Sequence, residues 1–204
     1  MEAELDGIDY RVLVVPEPVI DLEAYRWAVD RCESRHMLFL NSYSQLLCDD
    51  WLRIMASPFD YPRTGLVGAT GTYESIKSSA PPLLRLRWQF RFPGFPNPHL
   101  RSTGFMLERE LIEDLDWHTP VTKADAYDLE NGKHSISHQV EARGLKCVVA
   151  GRDGRAYAAP DWRASKTFRS GEQANLIVAD NRTDEYLAAD REQRAYLERL
   201  AWGE

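Results

Sequence analysis

The chain has no excess of positive charge and no long apolar run. Its 204 residues carry 25 Lys and Arg against 32 Asp and Glu, which gives a net charge of -7 at pH 7. A general nucleic-acid-binding protein needs a basic face, so this balance argues against that class. No apolar run approaches the length of a membrane span, and the acidic start MEAELDG does not have the pattern of a signal peptide. We therefore expect a globular protein with no nucleic-acid partner and no transmembrane segment.

The chain is also poor in cysteine. Cys32, Cys48 and Cys147 are odd in number and widely spaced, and no metal-ligand or redox spacing links them. Cys32 and Cys147 lie within apolar patterns, which favours buried free thiols. Free thiols are typical of a reducing compartment, so we expect a cytoplasmic location.

Several catalytic and cofactor motifs are missing as well. The sequence has no Gly-rich phosphate loop of the P-loop or dinucleotide type, and no nucleophile elbow. The histidines have no metal-ligand spacing, so the sequence predicts no metal site from them. They are His36, His99, His118, His134 and His138.

The segments that are present alternate between strand and helix patterns, which predicts an α/β protein. The apolar run RVLVV at 11–15 predicts a strand, the stripe over 21–32 a helix, and 37–40 a second strand. This order predicts a right-handed βαβ unit with two parallel strands. We expect residues 1–204 to form a single Rossmann-like domain with a mostly parallel sheet. A charged C-terminal helix over 183–202 is predicted to pack on this domain or on a partner.

Further strands are predicted at 65–69, 104–107 and 145–150, and further helices at 51–59, 72–77, 108–115 and 135–143. The stretch 78–100 is rich in proline and aromatic residues, which are unsuited together to a central strand. It is predicted to be a surface loop, and loops of this length are often functional. A connection that is anchored by its aromatic side chains and has no function is at least as good an interpretation.

The first candidate site lies directly after the predicted strand at 37–40. Polar side chains follow there in a row, and in an open α/β sheet ligands bind beyond the carboxyl ends of strands. These residues are Asn41, Ser42, Tyr43 and Ser44. They can contact a nucleotide or a sugar, but they are also good turn residues, and from spacing alone the turn is favoured.

Positive charge is concentrated late in this otherwise acidic chain. Guanidinium groups there can hold a diphosphate, because they pair bidentately with phosphate oxygens. The residues concerned are Arg152, Arg155, Arg163, Lys166 and Arg169, with Ser170, Gly171 and Gln173 nearby. Arg101, before the strand at 104–107, can point into the same cleft. A basic surface loop paired with neighbouring acids is a fair alternative.

Two further features complete the candidate site. Small residues around Gly68 and Gly71 allow a ligand to approach the backbone closely. Asp125 lies between a predicted strand–helix pair and the helix at 135–143, where a carboxylate near a cleft can act as a general base. From the residues alone, a solvated aspartate at a helix start is the preferred reading of Asp125.

The order of the segments resembles bacterial inverting glycosyltransferases of the family-2-like type, with the A-type nucleotide-diphospho-sugar fold. The resemblance covers about residues 11–181. It rests on MLFLNSYSQLLCDDWL, GLVGATGTYES, HLRSTGFMLERELI, TKADAYDLENGKHSISHQVEARGL and the tail from GRDGRAY to IVADN. It implies transfer of a sugar from a nucleotide sugar to a hydroxyl acceptor with inversion, as in surface polysaccharide synthesis. It also implies Asp125 as the catalytic base. The implied donor-binding residues are Asn41, Ser42, Tyr43, Ser44, Gly71, Glu74, Arg101, Arg169 and Gln173.

The sequence departs from the family pattern at three points. Asn41 and Tyr43 occupy the place of the metal-binding Asp-x-Asp, and neither has the carboxylate that Mg²⁺ or Mn²⁺ prefers. Ala124-Asp125 stands for the Glu-Asp pair, and one strand fewer is predicted before Val12. We therefore assign no cofactor, leave a divalent metal (Mg²⁺ or Mn²⁺) as an open alternative, and keep two alternatives for the function. One is a non-catalytic module that binds a nucleotide sugar or a carbohydrate. The other is a subunit, homo-oligomeric or bound to a fuller transferase.

Overall fold

A computed structural model describes residues 11–118, 120 and 122–203. The described part of the chain contains a five-stranded sheet, two small two-stranded sheets and helices on both sides. The strands are β1 His36–Leu40, β2 Gln45–Leu46, β3 Thr64–Gly68, β4 Gly71–Thr72, β5 His99–Leu100, β6 Gly104–Glu108, β7 Lys146–Ala150, β8 Ala156–Ala158 and β9 Val178–Ala179. The helices are α1 Asp21–Val29, α2 Trp51–Ala56, α3 Ile76–Ser79, α4 Pro82–Trp88, α5 Arg109–Asp114, α6 Lys123–Asn131, α7 Ile136–Ala142, α8 Asn181–Ala188 and α9 Arg191–Trp202. The described residues also include the short 3₁₀ helices Ser57–Asp60 and Ala159–Asp161.

The α/β class is confirmed, but the prediction of a mostly parallel sheet is wrong. The strand order is β1-β6-β3-β7-β8. Among the described strands, only β3 and β7 pair in parallel, whereas β6 lies antiparallel between β1 and β3, and β8 lies antiparallel beside β7. The physical reason is that an apolar run such as GFML suits a buried strand of either direction. In addition, β6 is inserted between two strands that are distant from it in the sequence.

The sheet nevertheless gathers several strand ends on one edge. β1 and β3 are both antiparallel to β6, and β7 is parallel to β3, so β1, β3 and β7 run in the same direction. Their carboxyl ends therefore lie on the edge where β6 begins. At this edge Leu40 is paired with Gly104, and Gly68 with Phe105.

Alternating side chains of the central strands fill two apolar layers. On one face, Phe39 and Phe105 pack against Tyr25 of α1 and against Trp117, with ring centroids 4.8 to 6.2 Å apart. On the other face, Met106 packs with residues of α2 and β9. This alternation is the period of two expected for a strand buried on both faces.

The predicted strand at 11–15 is not formed. Val12 and Val14 are mostly exposed, so no buried surface holds these residues in a sheet. The predicted βαβ unit is therefore wrong, although α1 and β1 form where they were expected.

The predicted helix over 183–202 is two helices. Asp180 caps α8 in a capping box with Thr183, and Asp190 caps α9 by accepting a hydrogen bond from the Gln193 N–H. Ala189, between them, has an extended backbone. An aspartate in mid-run is a start signal for a second helix, which the prediction overlooked.

The stretch 78–100, predicted to be a loop, contains α4 and the short strand β5. β5 pairs antiparallel with β4, so the proline-rich segment returns to the edge of the main sheet just before β6. Among the described helices, none has the length and apolar character required to cross a bilayer.

Candidate functional site

A cleft of about 600 Å³ lies beside the segments that connect β4 to α3 and β5 to β6. We call it the arginine cleft and define it by six polar residues that line it: Glu74, His99, Arg101, Glu130, Asn131 and Arg169. Parts of α3, α4, α6, α8 and α9 form the remaining walls. Its volume is within the range of small-molecule sites.

Arg101 is held at the base of the arginine cleft by a buried carboxylate. Its Nη2 donates to Oδ2 of Asp180 at 2.8 Å, and Thr103 Oγ1 donates to the same oxygen at 2.7 Å. Burial acts to raise the pKa of Asp180, but the charge of Arg101 and the hydrogen bonds from Arg101, Thr103 and Thr183 outweigh it, so the pKa is lowered. Asp180 thus remains ionised and fixes the Arg101 guanidinium.

Arg169 is the second buried guanidinium of the arginine cleft. Nη1 is bonded to Glu74 and Nη2 lies 3.6 Å from Glu185, whereas the buried Nε has no hydrogen-bond partner. Burial lowers the pKa of Arg169, yet a guanidinium stays protonated in proteins. An unpartnered N–H of a buried cation is costly, so a hydrogen bond from this nitrogen to an acceptor would be favourable.

Phe168 lies close to both guanidinium groups. The Cζ atom of Arg101 is 4.3 Å from the ring centroid of Phe168, and that of Arg169 is 5.0 Å away. The aromatic ring interacts favourably with both cations. Two cations can therefore be buried side by side in one cleft.

The loop that presents Arg169 has an unusual backbone. Lys166, Arg169 and Gln173 have φ angles of 56°, 40° and 48°, in the left-handed region that non-glycine residues rarely adopt. Gln173 Oε1 accepts from the Arg169 N–H at 2.9 Å, and Trp202 Nε1 donates to the Arg169 carbonyl at 2.9 Å. Such strain persists where surrounding contacts over-determine it, and it is frequent at ligand-binding sites.

One wall of the arginine cleft presents an imidazole and two oxygen acceptors. His99 Nδ1 lies 2.8 Å from the Asn97 carbonyl, so this nitrogen carries the ring proton and Nε2 is an acceptor. Burial lowers the pKa of His99, which keeps the ring neutral near pH 7. Asn131 is buried, and its Oδ1 has no partner.

Glu130 supplies a carboxylate to the same wall. Its Oε1 accepts from the backbone N–H of Ser102 at 2.8 Å and from Ser102 Oγ at 3.0 Å. Among the described residues, no group donates to Oε2. One oxygen thus fixes the carboxylate, and the other keeps its capacity to accept a hydrogen bond.

The residues Asn41, Ser42, Tyr43 and Ser44 form a tight turn outside the lining of the arginine cleft. Asn41 Oδ1 accepts from the Tyr43 N–H at 3.0 Å and from Ser44 Oγ at 3.1 Å, as in an Asx turn. Ser44 Oγ also lies 3.0 Å from the Thr103 carbonyl. The turn is therefore linked to the arginine cleft through Thr103, which bonds Asp180, the partner of Arg101.

Asp125 lies at the start of α6 and does not line the arginine cleft. Arg91 Nη2 is 2.5 Å from its Oδ1, and its Oδ2 closes a capping box with Thr122. The hydrogen bond from Arg91, followed by those from Thr122, lowers the pKa of Asp125 to about 2. A carboxylate with so low a pKa is a weak proton acceptor near pH 7.

Gln173 and Gly71, two other residues predicted to contact the donor, do not line the arginine cleft. Gln173 is buried, and its Nε2 donates to the Thr183 carbonyl at 3.0 Å, so both ends of its amide are in use. Gly71 lies in β4 against the Trp162 ring. Its missing side chain makes room for tryptophan rather than for a ligand.

Replacing Gly71 with Ala is expected to lower the free energy of unfolding by about 1–3 kcal/mol, the usual cost of overpacking. The added Cβ would lie 2.7 Å from the Trp162 ring and 3.0 Å from Val149. Gly94→Ala is the matched control, because nothing lies within 4 Å of a Cβ at Gly94. Urea denaturation measures both variants, and equal stabilities would contradict the packing explanation.

The described residues contain no group of three or more His, Cys, Asp or Glu side chains placed to hold a metal ion. At the position where the resemblance implies an Asp-x-Asp motif, Asn41 is bonded within its own turn and Tyr43 points to solvent. The donor set at that turn does not fit Mg²⁺ or Mn²⁺, which favour carboxylate oxygens.

The structure brings together three of the residues predicted from sequence, namely Glu74, Arg101 and Arg169, and adds others that the prediction missed. The missed residues are His99, Glu130, Asn131, Phe168 and Glu185. His99 follows the proline-rich stretch, and Glu130 ends a segment with no clear pattern, so neither gave a local signal.

A search of protein-family models, curated proteins and solved structures finds no match to this chain. The function is therefore inferred from the residues themselves.

Proposed function

We propose that this chain is a glycosyltransferase-like protein on a variant of the A-type nucleotide-diphospho-sugar fold, and that the arginine cleft binds its sugar donor. The observation that carries the proposal is the buried Arg169 with its unpartnered Nε, in a cleft that also presents the carboxylate of Glu130. A cation and a carboxylate in one cleft are the groups that a displacement at an activated sugar requires.

In this proposal Arg169 and Arg101 contact the diphosphate of the donor. Guanidinium pairs well with phosphate oxygens, and Arg169 has its Nε available for the first such bond. The ion pairs of Arg169 with Glu74 and Glu185 would open as phosphate takes their place. Charge that develops on the leaving diphosphate would then be stabilised by fixed cations instead of a metal ion.

Glu130 is the proposed proton acceptor in place of Asp125. Its Oε2 is available in the arginine cleft, whereas Asp125 is ion-paired with Arg91 outside it. In a single displacement, the acceptor hydroxyl loses its proton to Glu130 and its oxygen bonds to the anomeric carbon. The bond from that carbon to the diphosphate oxygen breaks, which inverts the anomeric configuration.

Aromatic and amide groups around the cleft suit the sugar ring. Trp88, Tyr127 and Tyr196 line its walls, and Asn131 offers an unpartnered Oδ1 to a hydroxyl. Apolar walls with a few oriented polar groups are typical of small-molecule sites.

One observation favours a second candidate, a non-catalytic carbohydrate-binding module. Both buried guanidinium groups already have carboxylate partners, because Asp180 pairs with Arg101, and Glu74 pairs with Arg169. Such a balanced cleft can accept a neutral glycan with no rearrangement. This candidate predicts glycan binding and no affinity for nucleotide sugars.

The deciding experiment is a calorimetric titration of the protein with a panel of nucleotide sugars and with neutral oligosaccharides, each with and without Mg²⁺ or Mn²⁺. We expect one nucleotide sugar to bind. We expect Arg169→Lys to weaken it about tenfold or more, because lysine keeps the charge but loses the planar donor pair. Arg155→Lys is the matched control, since Arg155 is exposed and outside the cleft.

The outcomes separate the two candidates. Binding of a nucleotide sugar that responds to Arg169→Lys and not to Arg155→Lys supports the transferase. Binding of neutral glycans alone supports the module. If no nucleotide sugar and no glycan binds, both candidates fail.

A further inference from the structure

The α4 segment, which we define as residues 82–91, presents apolar side chains to solvent. No residue of α4 is buried. Leu83 and Leu86 are 89% and 69% exposed, and Phe90, in the turn after the helix, is 79% exposed. Leu83 and Leu86 are three positions apart, and Leu86 and Phe90 are four positions apart, so the three side chains lie on one side of the segment. Large apolar side chains grouped in this way mark an interaction surface.

The same segment is basic in an acidic protein. Between Glu74 and Glu108 the sequence contains Lys77, Arg85, Arg87, Arg91 and Arg101 and no acidic residue, whereas the whole chain has a net charge of -7. Arg91 is paired with Asp125 and Asp128, but Arg87 makes no hydrogen bond or ion pair with any described residue. Arginine beside exposed leucine and phenylalanine is the composition of a helix that lies in a membrane interface.

We propose that the α4 segment docks on an anionic lipid bilayer, with Leu83, Leu86 and Phe90 entering the headgroup region. Arg85 and Arg87 would then contact lipid phosphates. The acidic remainder of the chain would be repelled by the same surface, which orients the α4 segment toward the lipid.

Charge also argues against a second copy of the chain as the occupant. A two-fold symmetric dimer through this face would place the α4 segment against itself, and arginine would meet arginine. An anionic bilayer offers the opposite charge together with an apolar interior.

The position of α4 beside the arginine cleft gives the docking a consequence. Pro81 and Trp88 lie on the cleft wall, so a docked α4 brings the cleft to the level of the lipid headgroups. Substrates attached to the membrane surface would be within its reach. The docking itself does not depend on the proposed glycosyl transfer, because vesicle binding is measured with no sugar donor present.

Flotation of the full chain with vesicles tests the proposal. We expect the protein to float with vesicles of phosphatidylcholine mixed with phosphatidylglycerol, to remain unbound with phosphatidylcholine alone, and to be released by high salt. Leu86→Glu is expected to reduce the bound fraction to background. Leu52→Glu, the same change at a residue of α2 that is 49% exposed, is expected to bind as the wild type does. Circular dichroism confirms that both variants are folded.

Three results would overturn the proposal. The first is a wild-type protein that stays unbound with the anionic vesicles. The second is equal loss of binding in Leu86→Glu and Leu52→Glu. The third is a dimer, detected by light scattering, that Leu86→Glu dissociates, since the face would then join two copies of the chain.

Discussion

Asp180→Ala is expected to lower the free energy of unfolding by about 3–5 kcal/mol, the usual cost of breaking a buried ion pair on one side. Asp180 is 1% exposed, and its carboxylate accepts from Arg101, from Thr103 and from the backbone N–H groups of Arg182 and Thr183. The substitution leaves the Arg101 charge buried without its partner and removes the cap of α8. Chemical denaturation measures the loss.

The matched control is Asp190→Ala. Asp190 also caps a helix, α9, but it is exposed and accepts one hydrogen bond, from the Gln193 N–H at 2.9 Å. Loss of an exposed cap costs about 1 kcal/mol. If the two variants are destabilised equally, the buried pair adds nothing beyond the cap, and the role assigned to Asp180 is wrong.

The effect of Asp180→Ala should also depend on pH in one direction. The pKa of Asp180 is lowered in the folded protein, below the unfolded value of about 3.9. Its contribution to stability is therefore complete above the unfolded pKa and is lost as the pH falls through the folded pKa. The difference in stability between the wild type and Asp180→Ala should be constant near neutral pH and should shrink in acid.

Local patterns predicted those elements that local interactions specify. β1, β6 and β7 are short apolar runs between polar residues, and α7 is capped by Ser135, whose side chain accepts from the His138 N–H. Local patterns did not predict strand direction, because β6 lies between β1 and β3, which are distant from it in the sequence. No local pattern encodes that neighbour, and the preference for parallel strands rested on the alternation of elements alone.

The same distinction between local and long-range interactions applies to the residues of the candidate site. Arg101 and Arg169 were found because positive charge is conspicuous in an acidic chain, and the fold places both around Phe168. Glu130 was missed because the charge of one glutamate among many acids is no signal, and its place beside Ser102 depends on how α6 packs near β5. The turn at Asn41 was predicted to be a site because it follows a strand, but its polar groups form hydrogen bonds with one another.

A second large effect is expected from Glu130→Gln, which should lower the rate of sugar transfer by about 10²- to 10⁴-fold, the range for loss of a general base. Glutamine can keep the hydrogen bonds from Ser102 but cannot accept the proton of the acceptor hydroxyl. Donor affinity should change little, because the proposed phosphate contacts belong to Arg101 and Arg169. The measurement is the release of nucleoside diphosphate from the nucleotide sugar that binds, with donor affinity from calorimetry.

Asp125→Asn decides between the base proposed from the structure and the base implied by the family resemblance. Asp125 is committed to Arg91 and to the Thr122 cap, and its pKa is about 2, so at neutral pH it has little tendency to take up a proton. We expect Asp125→Asn to transfer sugar at nearly the wild-type rate. The reverse result, in which Asp125→Asn abolishes transfer and Glu130→Gln does not, would assign the base to Asp125. The cap at the start of α6 would then have to open when the acceptor binds, since Asp125 can reach the proton only after it leaves Arg91.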